Sequence, residues 1–95
     1  GKMVIFELLG FDVNLSGDFP TYFIFYKFND KNKKELSLRI QEIFGDKKVS
    51  EKYSSSILEG TNLLVVESRE KIDEETINKL TELEFVNEVK FADKL

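Results

Sequence analysis

Tyr22-Phe23-Ile24-Phe25-Tyr26-Lys27-Phe28 is an almost unbroken aromatic and aliphatic run. Such a run reads as a β-strand. Side chains alternate across a strand, so one side carries Tyr22, Ile24, Tyr26 and Phe28 and the other Phe23, Phe25 and Lys27. Both sides are apolar in the middle. Leu63-Leu64-Val65-Val66 has the same property. If helices cover only one face of a sheet, its strands should alternate apolar and polar. These two do not, so the second face needs a cover of its own. Two covers are open: a partner molecule, since large exposed apolar patches mark contact surfaces, or residues 3–11 of the chain itself.

The remaining segments frame these two strands. Val4-Ile5-Phe6-Glu7-Leu8-Leu9 reads as a strand, and residues 14–20, with Ser16-Gly17-Asp18 and Pro20, carry loop chemistry. Asn29-Asp30 offers a helix N-cap, since an Asp side chain can accept a bond from an orphan amide. Leu36, Ile40, Ile43 and Phe44 then recur at helical spacing, and Gly45 stands where a left-handed C-terminal cap belongs. Residues 49–58 are strand-like but polar, and Glu59-Gly60 makes a turn. Asp73 caps a second helix, with Ile72 and Ile77 spaced as a hydrophobic staple and Ile77, Leu80 and Leu83 as its buried stripe. Residues 85–91 form the last strand.

From Tyr22 the order is β-α-β-β-α-β. The fold class is therefore α+β: a ferredoxin-like, four-stranded antiparallel sheet with two helices on one face. Residues 1–21 are an N-terminal extension adding one strand, expected at a sheet edge, and residues 22–95 are the domain.

Composition narrows the chemistry. The 95 residues include no Cys and no His, and the net charge is −4. The common zinc sites and imidazole acid–base devices are thus excluded. A nucleic-acid binder shows a basic stripe. The nearest equivalent, Lys31, Lys33 and Lys34, reads as one solvated helix turn. No apolar stretch is long enough to span a membrane as a helix. Glu67, Glu70, Asp73, Glu74 and Glu75 form an acidic cluster that suits the N-terminus of the second helix through its dipole. Arg39 and Arg69 have no Gly-rich loop beside them, and Ser54-Ser55-Ser56 has no base partner. The chain is read as non-catalytic, with no metal and no cofactor.

Over residues 22–95 the chain resembles the propeptides of subtilisin-like serine proteases and the stand-alone inhibitors built on the same fold. The resemblance rests on the order of Tyr22-Phe23-Ile24-Phe25-Tyr26-Lys27, Lys48-Val49-Ser50-Glu51-Lys52-Tyr53, Glu59-Gly60-Thr61, the helix of residues 77–83, and Val86-Asn87-Glu88-Val89-Lys90. Family members carry an acidic run after the last valine, which caps helices of the enzyme. This chain departs there, with Lys90, Phe91 and Ala92, and acid returns only at Asp93.

The resemblance implies an inhibitor, and a possible folding aid, of a subtilisin-like protease catalytic domain on the secretory route. The open sheet face, with Phe23, Phe25, Tyr53, Leu64 and Val66, would meet the enzyme. The tail of Phe91, Ala92, Asp93, Lys94 and Leu95 would lie in the substrate cleft. The alternative is a ferredoxin-like regulatory or RNA-binding module. In the RNA case, bases would stack on Phe23, Phe25 and Tyr26. Oligomeric state stays open, since an apolar sheet face can also self-associate.

Overall fold

The structure, a computed structural model, describes residues 4–8, 11–15, 18–55 and 61–93; for residues 4–8, 11–15 and 55 it describes the backbone alone. The elements are β1 (Val4–Leu8), β2 (Phe11–Leu15), β3 (Thr21–Lys27), α1 (Asp30–Phe44), a 3-10 turn (Gly45–Lys47), β4 (Lys48–Ser55), β5 (Thr61–Ser68), α2 (Glu74–Thr81) and β6 (Val86–Ala92).

Strands β3 to β6 form an open antiparallel sheet in the order β4-β5-β3-β6. With α1 and α2 this is an α+β architecture compatible with a ferredoxin-like arrangement. Directly opposed residues of an antiparallel pair share a face. Tyr22 faces Val66 and Ile24 faces Leu64, and these join Tyr26, Leu36, Ile40, Phe44, Ile72, Leu80 and Val86 in one buried cluster. Both helices therefore pack on the same face of the sheet.

The helix ends follow their local chemistry. The Asn29 side chain, and not that of Asp30, accepts a hydrogen bond from the Asn32 amide at 2.7 Å and caps α1, with Asp30 as the first helical residue. Gly45 closes α1 and donates its N–H to the Gln41 carbonyl; its φ of 49° is positive, but its ψ of −126° lies outside the left-handed helical region expected for it, in a conformation that suits glycine. Asp73 caps α2 by accepting from the Thr76 amide at 3.1 Å and the Thr76 hydroxyl at 2.8 Å. These bonds, the Thr76 hydroxyl first, hold its carboxyl below the ordinary aspartate range.

The N-terminal expectation is corrected. Two strands form there, β1 and β2, and they pair with each other, Leu8 opposite Phe11. Among the described residues they make a separate two-stranded sheet and add no strand to the edge of the main one. β2 takes the stretch that includes Asn14, where loop chemistry was expected, because Phe11 and Val13 alternate with Asp12 and Asn14 as a half-buried strand requires.

Candidate functional site

The face of the sheet away from the helices has three cross-strand rows. Ser54, Leu63, Phe25 and Glu88 form one, and Lys52, Val65, Phe23 and Lys90 the next. Ser50, Glu67, Thr21 and Ala92 form the third. Its centre is thus Phe23, Phe25, Leu63 and Val65, flanked by polar residues of β4 and β6.

That centre is not bare. Phe23 is 3% exposed, Phe25 2%, Leu63 0% and Val65 2%. The helices lie on the other side, so this face has a cover within the chain itself. The expectation that it stands open for a partner is corrected on this point. The alternative cover, residues 3–11, falls on side chains outside the described ones.

The residues assigned to that face divide. Only Phe23 and Phe25 lie on it. Leu64 and Val66 point the opposite way, into the helix-side core, because they face Ile24 and Tyr22 across β5 and β3. Tyr53 faces Leu64 and packs against the same core. The triad expected for base stacking also fails to assemble. Tyr26 is on the helix side, and Phe23 and Phe25 offer no accessible ring.

The expected tail is shorter than the sequence suggested. Phe91 and Ala92 belong to β6, paired with Tyr22 and Thr21. The Phe91 ring lies 4.8 Å from the Tyr22 ring, and the Lys71 ammonium sits 5.1 Å above it. Phe91 nonetheless remains 38% exposed. Asp93 follows the strand and is exposed, while Lys94 and Leu95 lie outside the described residues.

Among the described residues, grooves flank the sheet on the helix side, one at each edge. One of about 250 Å³ runs between α2 and β6, with Tyr22, Ile72, Ile77, Val89 and Phe91 among its walls. Its floor is locked by Tyr22, whose hydroxyl accepts from the Ile72 amide at 2.8 Å and donates to the Ile72 carbonyl at 3.3 Å. Burial pushes the Tyr22 hydroxyl pKa up, against the lowering effect of the bond to Ile72.

The other groove, between α1 and β4, is polar. The Tyr53 hydroxyl donates to Glu51 at 2.6 Å, Lys48 pairs with Glu51 at 3.0 Å, and Lys33 sits 4.7 Å above the Tyr53 ring. Burial first, then the bond to Glu51, drives the Tyr53 hydroxyl pKa well above the usual tyrosine range. Residues three apart in a regular strand point to opposite faces. Here the register shift between Lys48 and Ser50 brings Lys48 and Glu51 together. Sequence spacing alone carries no signal for such a shift.

The acidic cluster does not converge. Glu67 is buried on the far face and accepts from Ser50 at 2.8 Å, Glu70 pairs with Lys47 at 3.5 Å, and Glu74 and Glu75 lie in the first turn of α2. Among the described residues, no three Asp or Glu side chains are grouped so as to hold a metal ion, and no helix is long and apolar enough to cross a membrane. Comparison with protein-family models and with curated proteins finds no match for the chain.

Proposed function

We propose that the chain is a propeptide-like inhibitor of a subtilisin-type serine protease, built on a ferredoxin-like domain and acting through its C-terminal end. The observation that carries this reading is the exit of the chain from β6. That strand is an edge of the sheet, and Asp93 leaves it exposed at the rim. A segment that leaves an edge strand extended can enter an enzyme groove and add a strand to the substrate-binding edges. Asp93 and Lys94 would lie extended in the non-prime subsites, and Leu95 would be the apolar anchor. Phe91 and Ala92 stay in β6, where they hold the exit in place.

Inhibition of this kind is competitive and requires no catalytic group on the inhibitor. Binding to the folded enzyme alone would also stabilise it by mass action, which is the physical content of a folding aid. The enzyme would not meet the centre of the far face. Phe23 and Phe25 are already buried, and an enzyme would reach them only after their cover had moved.

The test is inhibition of a subtilisin-type protease by the full chain and by a chain ending at Ala92. That truncation spares every β6 pairing with β3. Potency should fall sharply on truncation; equal potency, or no inhibition by the full chain, overturns the proposal.

A further inference from the structure

We propose that β6 is a self-association edge, where two copies of the chain pair antiparallel about Val89 to make one continuous eight-stranded sheet. This inference is independent of the protease reading. It starts from a difference between the two edges of the four-stranded sheet. Both edges carry one register shift, at Val49 in β4 and at Asn87 in β6. On the far face β4 carries a single charged residue, Lys52, between Ser50 and Ser54, and a lysine placed so discourages edge pairing. On the β6 side the only irregularity lies between Phe25 and Tyr26, which leaves Asn87 as the extra residue. Residues 88–92 then run in unbroken register along β3. Among the described residues β6 pairs with β3 alone, so its outer row of backbone donors and acceptors faces outward.

The side chains along that edge select the occupant. Glu88 and Lys90 flank Val89 symmetrically, both on the far face of the sheet and both about half-exposed. Within one chain they make only a loose contact of 3.9 Å. A lone lysine on an edge repels its own symmetry mate and protects the edge. This pair does the reverse. With the two-fold axis at Val89, Glu88 stands opposite Lys90 of the second copy and Lys90 opposite Glu88 of the second copy. Opposite charges in that position stabilise antiparallel pairing, and like charges oppose it.

The pattern also fixes the register. An axis at Lys90 sets lysine against lysine, and an axis at Glu88 sets glutamate against glutamate. On the helix side the same pairing brings the exposed ring of Phe91 diagonally onto Val89 of the second copy, within reach of an aromatic side chain. That contact covers a large apolar side chain that is otherwise exposed. The partner that fits is therefore a second copy of this chain.

The experiment is sedimentation equilibrium of the full chain at low salt, where exposed charge pairs are least screened. Lys90→Glu and Glu88→Lys are measured alone, then mixed in equal amounts, and the swap Glu88→Lys/Lys90→Glu is measured as one chain. The wild type should dimerise with rising concentration, and each single variant should associate about tenfold more weakly. The equimolar mixture and the double swap should both recover wild-type association, since each restores opposite charges across the axis. Circular dichroism melts check that every variant is folded. A wild type that stays monomeric, single variants that associate as the wild type does, or a mixture that recovers nothing each overturns the proposal.

Discussion

Tyr22 and Tyr26 stand on one face of one strand, both buried, and their hydroxyl groups should respond to deletion in opposite directions. The Tyr22 hydroxyl is bonded twice to the backbone of Ile72. Tyr22→Phe keeps the ring contacts with Phe44 at 5.4 Å and Phe91 at 4.8 Å, but leaves the buried Ile72 N–H without its acceptor. An unsatisfied buried donor costs about 1–3 kcal/mol. The 3.3 Å bond to the Ile72 carbonyl is the weaker of the two. The expected loss is therefore about 2 kcal/mol, a large share of the roughly 5–14 kcal/mol that holds a domain of this size together.

The Tyr26 hydroxyl is wholly buried and, among the described residues, has no hydrogen-bond partner. Asn62, opposite it on β5, is close enough to oppose the upward effect of burial on its pKa, but makes no bond of proper length and angle. Tyr26→Phe removes a polar group that lost its water on folding and gained nothing in return. The space left by one oxygen costs a few tenths of a kcal/mol. The net expectation is no loss, or a gain of up to about 1 kcal/mol. Urea unfolding measures both variants, with a change of midpoint at constant slope reporting stability alone. If Tyr26→Phe destabilises as much as Tyr22→Phe, the distinction between bonded and orphaned hydroxyls is wrong for this core.

Two further outcomes follow from the same structure. All three tyrosines of the chain, Tyr22, Tyr26 and Tyr53, have hydroxyl pKa values raised by burial. A raised folded value favours the neutral form, so this stability is complete below the unfolded tyrosine pKa of about 10 and is lost as pH climbs through the folded values. Tyrosinate absorbance should stay low near pH 10 and then rise together with unfolding; an independent non-cooperative titration near pH 10 refutes this. Gly45→Ala should cost about 1–3 kcal/mol through backbone strain alone, because φ 49° with ψ −126° suits glycine while an added Cβ meets nothing within 4 Å. Thermal melting checks it, and an unchanged melting temperature would place the strain elsewhere.

Local chemistry made much of the chain legible. The capping side chain ahead of each helix, Gly45 after the first, and the helical spacing of Leu36, Ile40 and Phe44 all report on neighbours within a few residues. So does the β-character of residues 22–28 and 63–66. The site was less legible. Leu63-Leu64-Val65-Val66 is apolar at every position, so its sequence does not say which two residues meet the helices. The far face was therefore assigned Leu64 and Val66, when it holds Leu63 and Val65. Phe91 was given both to the last strand and to the cleft-binding tail, and Ala92 to the tail alone, because nothing in their own chemistry reveals that Tyr22 and Thr21 extend the ladder to meet them.

The sequence by itself determined the number and order of the elements from Tyr22 onward, through periodicity and capping, which act over one or two turns of chain. Only the tertiary structure decided which side of each doubly apolar strand became core, since register across β3 and β5 sets that choice. It alone also decided that Phe23 and Phe25 are enclosed and that β6 remains an edge. Those outcomes depend on contacts between residues far apart in the chain, whose cover and pairing no local pattern encodes.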